Sequence, residues 1–155
     1  MCSIVPELRM PHTNCTIAFW FKTAAASARL ASVNRRPTLH DNYYDSIVGI
    51  SDGKLQASLA RETRSTERSY NDDKWHHAAL IVEKGKGFRL CMDGETAATG
   101  TTDEMGIWHL WHVPTERLGM RIGPGNGTAV VAMDDLRVYQ RPLSEAEVKA
   151  LLQAP

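Results

Sequence analysis

Two tryptophans and two histidines fall within five residues, in the segment Trp108-His109-Leu110-Trp111-His112. Exposed tryptophan rings stack on the apolar faces of sugar rings or anchor protein interfaces. In an alternative arrangement the same two rings fold back over a sheet and close the core. A zinc-type site at His109 and His112 is disfavoured, because neither a nearby cysteine nor a third histidine completes it. We therefore predict that Trp108, His109, Trp111 and His112 bind a ligand.

Oxygen-rich segments are a second feature with chemical potential. Calcium takes about six to eight oxygen ligands, which come from several loops that converge. Calcium is the one cofactor that the sequence leaves open, and no other cofactor is expected. The candidate calcium ligands are Asp41, Asp45, Asp72 and Asp103.

Two patterns with catalytic or metal-binding precedent have simpler explanations. The segment Gly49-Ile50-Ser51-Asp52-Gly53 matches the G-x-S-x-G pattern of hydrolase nucleophile elbows. Such an elbow requires a helix directly after the serine, whereas residues 54–59 alternate as a strand does, so a hairpin turn is predicted here. His76 and His77 are neighbours on a predicted strand and face opposite sides, so they do not chelate one ion together.

Composition and charge exclude several classes of function. The chain has 155 residues, enough for one compact domain and too few for two ordinary ones, so residues 1–155 are predicted to form a single domain. Eighteen Lys and Arg balance eighteen Asp and Glu, which disfavours nucleic acid as a partner. The longest apolar run, residues 78–82, is far shorter than the roughly 20 residues that span a bilayer, so no membrane insertion is expected.

The cysteine content gives no disulfide framework. Cys2, Cys15 and Cys91 are three in number, so they cannot all pair within the chain. We interpret them as mostly reduced and buried, with a bridge between Cys15 and Cys91 as the alternative.

Apolar and polar residues alternate with a period of two along much of the chain, which indicates β-strands. Asp-Gly pairs between such segments predict tight hairpins. Ser144-Glu145-Ala146-Glu147 is a capping box that starts one short helix. The fold class is therefore all-β, a two-sheet antiparallel sandwich with one short C-terminal helix. The predicted strands are 16–22, 46–50, 55–59, 75–82, 88–92, 95–99, 118–122 and 129–139, and residues 61–68 are predicted to form a solvated strand and loop.

Five separated segments resemble, in order and spacing, the laminin-G-like jelly rolls of the concanavalin A-like lectin/glucanase superfamily. Residues 16–22 read TIAFWFK, similar to the family's T-I-S-A-W-V-K, and residues 75–81 read WHHAALI, similar to W-H-H-V-A-V-T. Residues 90–94 read LCMDG, similar to L-Y-V-D-G, and residues 118–123 read LGMRIG, where the family has a strand ending in Ile-Gly. Residues 133–148 read MDDLRVYQRPLSEAEV, similar to I-D-E-V-R-I-Y-N-R-A-L-S-A-A-E-I.

This resemblance implies a jelly roll without catalytic activity. The related glucanases carry an E-x-D-x-x-E strand that holds paired carboxylates on one face, and this sequence has no such strand. Asp134 and Asp135 would face opposite sides of a strand. Asp135 stands at the glutamate of the family's I-D-E segment, where a structural bond to nearby backbone is expected. The pair His76 and His77 is structural in the family, and many members hold calcium at a sheet rim.

The sequence departs from the family at its start, where only residues 4–10 are available for the usual opening strands, and at Val131, which replaces a glycine. A neighbouring subunit could supply the missing sheet edge, because an uncovered edge strand invites pairing. The start also lacks a secretory signal. Either the chain functions without export, as in a virion, or it is an excised domain from an extracellular or cell-surface protein.

Two hypotheses of function follow. The first is a non-catalytic binding module that recognises carbohydrate or a protein surface through rim loops, with Trp108 and Trp111 as anchors. The alternative is a virion structural protein, a capsid decoration or tail component, in which a homo-oligomer such as a trimer buries the same tryptophans.

Overall fold

The computed structural model describes residues 14–34, 44–59, 62–101, 120–122 and 129–153, with the backbone alone for residues 33, 34, 44–46 and 120–122. Within these ranges ten strands form two five-stranded antiparallel sheets, with strand orders β10-β1-β6-β7-β8 and β5-β4-β3-β2-β9. We call them the β1 sheet and the β3 sheet. The elements are β1 (Asn14–Lys22), β2 (Ser27–Asn34), β3 (Tyr44–Ser51), β4 (Lys54–Leu59), β5 (Glu62–Ser69), β6 (His76–Glu83), β7 (Gly87–Met92), β8 (Glu95–Gly100), β9 (Met120–Ile122), β10 (Ala132–Tyr139) and α1 (Glu145–Leu151).

The predicted two-sheet sandwich is confirmed, and its core follows the predicted alternation. Ile17, Phe19 and Phe21 of β1 are fully buried in the inter-sheet cluster, and alternate residues of β4 and β6 meet them there. Burying one large apolar side chain contributes roughly 1.5–3 kcal/mol, so these rows supply the main driving force for folding.

The opposite face of the β1 sheet is covered by the C-terminal segment. A second cluster joins Ala18, Ala79 and Ile81 of the sheet to Val148 and Leu151 of α1. The predicted capping box is present, since Ser144 Oγ accepts from the N–H of Glu147 while the Glu147 carboxylate accepts from the N–H of Ser144. A helix of seven residues is too short to be stable alone, so its stability comes from this docking.

The cysteines in the described residues are free and buried, which confirms their predicted state. Cys15 lies in the inter-sheet cluster and Cys91 lies in the cluster beneath α1. The alternative of a disulfide is wrong, because the two side chains are on opposite faces of one sheet. Burial raises the pKa of the Cys15 thiol to about 12. Cys2 lies outside the described residues.

The two ends of the sandwich differ, and we name them after one residue each. At the Thr101 rim, the backbone N–H and the hydroxyl of Thr101 donate to Glu62, which joins the end of β8 to the start of β5. At the opposite end, the His76 rim, the rings of Tyr70 and His76 lie 5.0 Å apart and join the end of β5 to the start of β6. Each rim therefore connects the two sheets.

The predicted strands differ from the observed ones in a few places. β2 (Ser27–Asn34) was not predicted, because two of its four apolar residues are alanine and give little contrast with serine. The segment predicted as strand and loop at 61–68 is a continuous edge strand, β5 (Glu62–Ser69), and β10 begins at Ala132 instead of residue 129. Residues 118 and 119 of another predicted strand lie outside the described residues.

No helix in the described ranges has the length and apolarity to cross a bilayer.

Two glycines of the β6–β7 turn give a test of the packing at the Thr101 rim. A Cβ on Gly87 (φ +110°) would overlap the backbone carbonyl of Gly100, whereas a Cβ on Gly85 (φ +76°) would meet nothing within 4 Å. We expect Gly85→Ala to lower the free energy of unfolding by about 1 kcal/mol through backbone strain alone, and Gly87→Ala by at least about 3 kcal/mol, as measured by urea denaturation. Equal losses for the two variants would contradict the close approach of β7 and β8.

Candidate functional site

A groove of about 510 Å³ opens at the Thr101 rim, within the roughly 300–1,000 Å³ range of small-molecule sites. Its wall is formed across three strands, because Ile81 of β6 pairs with Arg89 of β7 and Arg89 pairs with Thr99 of β8. Ile81 and Phe88 are almost completely buried and give the groove an apolar lining. The groove therefore combines an apolar surface with a polar rim.

The side-chain charges that line this groove are mostly positive: Arg64, Lys86 and Arg89 against Glu83. Arg64 donates from Nε to the carbonyl of Thr99 at 3.2 Å. Lys86 pairs with Glu83 at 2.7 Å, and Arg89 donates to the carbonyl of Leu143 at 2.8 Å. Each cation is thus held by an oxygen atom of the protein, and exposed Lys86 and Arg64 can exchange that oxygen for one of a ligand.

Glu62 anchors the outer wall of the groove. It forms an ion pair with Arg64 and accepts two hydrogen bonds from Thr101. Those hydrogen bonds, more than the charge of Arg64, lower the pKa of the Glu62 carboxyl. Glu62 therefore remains ionised at neutral pH and fixes the start of β5 against the end of β8.

The predicted ligand residues Trp108, His109, Trp111 and His112 lie outside the described residues. The described residues that flank their segment are Thr101, at the groove, and Met120, which pairs with Val33 near the end of β2. Asn34 and Tyr44, which flank residues 35–43, pair with each other at the same end of the β3 sheet. The chain thus enters and leaves both segments at the Thr101 rim.

The calcium candidates do not converge among the described residues. Asp72 lies at the His76 rim, where its Oδ1 is 3.0 Å from His76 Nε2 and accepts from the N–H of Lys74 at 3.1 Å. The backbone of Asp45 lies in β3 toward the Thr101 rim, opposite Val33, and Asp41 and Asp103 lie outside the described residues. In the described ranges there is no group of three or more His, Cys, Asp or Glu side chains suited to a metal ion.

His76 and His77 face opposite sides of the β1 sheet, as predicted. The buried ring of His76 has both nitrogens on carboxylates, with Nδ1 2.9 Å from Asp93 and Nε2 3.0 Å from Asp72. Asp93 also accepts from the backbone N–H of His77 at 2.9 Å. The ring of His77 packs edge-on against Trp20 with centroids 5.3 Å apart. The pair therefore stabilises the start of β6.

His77 has an unusual environment for an ionisable group. Its side chain is buried, and Nδ1 has no hydrogen-bond partner among the described residues. Burial lowers the pKa of the imidazole, with Asp93 opposing that shift. His77 is therefore neutral at physiological pH.

The pattern that resembled a nucleophile elbow is a hairpin, as predicted. Ser51 ends β3, Asp52 and Gly53 both have positive φ angles of 51° and 77°, and β4 follows at once. Positive φ at both central residues is typical of a type I′ turn. The serine is therefore not followed by the helix that such an elbow requires.

The bond to nearby backbone expected for Asp135 is not found among the described residues. There the Asp135 carboxylate accepts from Nε of Arg137 at 2.8 Å. Asp135 has φ +48° and lies at a bulge of β10, where the register with β1 shifts between Ala18 and Trp20. Asp135 and Arg137 are two residues apart, a spacing at which the side chains of a strand share a face, and their ion pair is present beside the bulge.

Sequence reasoning missed the groove residues. Arg64 belongs to a sign-alternating segment that was interpreted as a solvated face, and Lys86 and Arg89 carry no motif. Their convergence depends on β5 of one sheet lying beside β8 of the other. The packing of β5 beside β8 joins residues that are far apart in the sequence, so local patterns do not predict it. The charged residues of β5 are the one sequence feature related to the groove.

Comparison with known proteins identifies the family. A laminin G family model, described as the concanavalin A-like lectin/glucanases superfamily, matches residues 3–149. The chain belongs to this superfamily. No curated protein matches the chain at significant sequence similarity.

Several solved structures share the fold. Trypanosoma rangeli sialidase aligns with a TM-score of 0.63 and 15% identity over 90% of this chain and 22% of the sialidase. The binding domain of Paraclostridial Mosquitocidal Protein 1 gives 0.59 and 19% over 90% of this chain and 36% of that one. The binding domain of botulinum neurotoxin serotype D gives 0.62 and 14% over 92% and 37%. The chain thus corresponds to well under half the length of each, and the likeness concerns the fold.

Asp93 and Asp52 provide a matched test of the His76 network. Both precede a glycine in an Asp-Gly turn and have φ near 50°, but only Asp93 bonds His76 and His77, and the Asp52 carboxylate has no hydrogen-bond partner in the described part of the chain. We expect Asp93→Ala to reduce the free energy of unfolding by about 1–3 kcal/mol more than Asp52→Ala, because buried donors lose their acceptor. Urea denaturation measures both, and equal losses would mean that the network adds no stability.

The lowered pKa of His77 makes a prediction about pH. An unfolded histidine titrates near about 6.5, so below that pH the unfolded state binds a proton that the folded state excludes. Stability is therefore fully present above that pH and is lost as the pH falls through and below it. We expect the wild type to lose more stability between about pH 7.5 and about pH 5.5 than His77→Gln, as measured by urea denaturation. An identical loss in both proteins would exclude His77 as the source.

Proposed function

We propose that this chain is a non-catalytic binding module that recognises carbohydrate or a protein surface at the Thr101 rim. The observation that carries the proposal is the groove on that rim, with an apolar lining and the exposed cations Arg64 and Lys86. Ligand sites commonly combine an apolar surface with a few polar groups that fix orientation. A rigid sandwich with ligand contacts at one end is a suitable scaffold for such a site.

The sequence-predicted anchors fit this proposal. Trp108 and Trp111 belong to the segment that follows Thr101 directly along the chain. A tryptophan beside the groove would add a large stacking surface to its polar rim. His109 and His112 would then supply hydrogen bonds to a ligand.

Two of the fold relatives are binding domains of larger toxins, which favours recognition over catalysis. The sialidase match covers 22% of that enzyme, so the shared portion need not carry its chemistry. Within the described residues, the acidic side chains of the groove rim, Glu62 and Glu83, each pair with a cation. A carboxylate that is held in an ion pair with a cation is a poor general acid or nucleophile.

Two lysines in hairpins at opposite rims give a controlled test of the site. We expect Lys86→Ala and Trp111→Ala to weaken binding by about three- to tenfold, since each removes one contact. Binding to carbohydrate is measured on a glycan array, and binding to a protein ligand is measured by pull-down. Lys54→Ala removes an exposed hairpin lysine at the His76 rim and should bind as the wild type does. Circular dichroism checks that every variant remains folded.

Three outcomes would contradict the proposal. Unfolding of Trp111→Ala would mean that this ring closes the core and does not contact a ligand. A tight trimer in size-exclusion chromatography with light scattering, indifferent to sugars, would favour the virion assembly hypothesis. Turnover of a chromogenic glycoside or ester panel would identify an enzyme.

A further inference from the structure

At the Thr101 rim, three hydrogen-bond donors converge on one carboxylate of the chain. The backbone N–H and the hydroxyl of Thr101 donate to Oε2 of Glu62, and Nη2 of Arg64 pairs with Oε1. Both oxygens are therefore bonded, which is the pattern of specific carboxylate recognition. Thr101 and Arg64 line the groove, and Glu62 lies beside that lining. We call Glu62 and its two partners the Glu62 clasp.

The donors of the Glu62 clasp are held in place by other contacts. Nε of Arg64 donates to the carbonyl of Thr99 at 3.2 Å. Gly100 packs so closely that a Cβ there would lie 2.3 Å from the ring of Phe88 and 3.1 Å from Cγ of Arg64. The end of β8 and the stem of Arg64 therefore stay together without the Glu62 carboxylate, and the donors form a preorganised site.

The Glu62 carboxylate is the part of the clasp that can move. Several rotatable bonds separate it from the backbone. The side chain of Arg64 is 50% exposed, against 19% for Glu62, so a ligand can reach the guanidinium from solvent. Buried donors without an acceptor are costly. We therefore expect the clasp to stay closed until another carboxylate takes the position of the Glu62 carboxylate.

The charges of the groove favour an anionic ligand once Glu62 has turned away. In the described part of the chain the lining holds one carboxylate, that of Glu83, against the cations of Arg64, Lys86 and Arg89. Lys86 is 74% exposed, and its contact with Glu83 is a surface ion pair, which is weak. An incoming carboxylate therefore meets Arg64 in the clasp and Lys86 at the wall of the groove.

The groove also distinguishes between sources of a carboxylate. The hydrogen bonds from Thr101 lower the pKa of the Glu62 carboxyl, so this position favours a charged carboxylate over a neutral amide. Ile81 and Phe88 provide apolar surface in the same groove. A peptide in which acidic and aliphatic residues alternate offers carboxylates and apolar side chains together, whereas a chain of uronic acids has no aliphatic side chains. The groove therefore suits an acidic segment of a protein.

We propose that the groove binds an acidic peptide segment of a partner protein, one carboxylate of which displaces Glu62 and bonds Thr101 and Arg64. In the free protein, Glu62 holds the place of the ligand carboxylate. The ligand binds only the fraction of molecules in which the clasp is open, so this competition raises the apparent dissociation constant. The inference rests on the function proposed for the Thr101 rim and names the ligand class of that site.

The test uses the full chain labelled with ¹⁵N and follows the backbone amide of Thr101, which donates to the carboxylate. The probe is acetyl-Glu-Leu-Glu-Leu-amide, and its control is acetyl-Gln-Leu-Gln-Leu-amide, which has the same shape without the charge. We expect a saturable shift of the Thr101 amide with the acidic peptide. The dissociation constant of the neutral peptide should be at least about tenfold higher.

Removal of Glu62 should strengthen binding, in contrast to the removal of an ordinary contact. We expect Glu62→Ala to bind the acidic peptide about tenfold more tightly than the wild type, because the internal competitor is gone. Glu67→Ala removes the same charge from the same strand, away from the groove lining, and should bind within about twofold of the wild type. Acetate should shift the Thr101 amide of Glu62→Ala and leave that of the wild type unchanged.

A second variant keeps the comparison available if Glu62→Ala does not fold, which circular dichroism checks. Glu62→Gln preserves the shape of the side chain, and its neutral amide competes less well than a carboxylate. We therefore expect Glu62→Gln to bind the acidic peptide about threefold more tightly than the wild type.

The proposal is overturned if the folded Glu62 variants bind the acidic peptide no more tightly than Glu67→Ala. It is also overturned if tetragalacturonate binds more tightly than the acidic peptide, or if the neutral peptide binds equally well. In that last case the groove still binds a ligand, so the function proposed for the Thr101 rim survives. Unchanged binding of every ligand by both Lys86→Ala and Trp111→Ala would instead contradict that function.

Discussion

Each sheet buries one face against the other, and the polar groups at both ends of the sandwich must be satisfied where that burial stops. The inward residues of β1, β6 and β4 supply the apolar contacts. At the His76 rim two carboxylates satisfy one buried imidazole, and one of them also accepts from the backbone N–H of His77. At the Thr101 rim Glu62 does the same for Thr101. The two sheets therefore pack in one register. The buried apolar rows and the hydrogen bonds at the two rims form the frame that positions the surface side chains.

The groove depends directly on that frame. It arises where edge strands β5 and β8 of different sheets come together, so its cations derive from both sheets. A substitution that loosens the contact between the sheets should therefore disturb the groove.

Local signals predicted much of the fold. The Asp-Gly turns and the capping box involve neighbouring residues, so their chemistry is legible in the sequence, and the opposite orientation of His76 and His77 follows from strand geometry alone. Strand β2 has alanine at two of its four apolar positions and lacked apolar contrast, and the bulge of β10 at Asp135 is not encoded by the alternation. The groove was not predictable, because Arg64 and Arg89 are distant in sequence and meet only after both sheets form. The role assigned to Trp108 and Trp111 rests on residue type and stays a prediction.

The bulge at Asp135 also affects how the molecule behaves among its copies. β10 is the edge strand of its sheet in the described chain, and an open edge offers unpaired backbone groups to any extended peptide. The bulge breaks the spacing of those groups midway along the strand, and the charged ion pair of Asp135 and Arg137 lies beside the break. An incoming strand would lose alignment after a few residues, which hinders the growth of fibrils from this edge while leaving the two rims accessible.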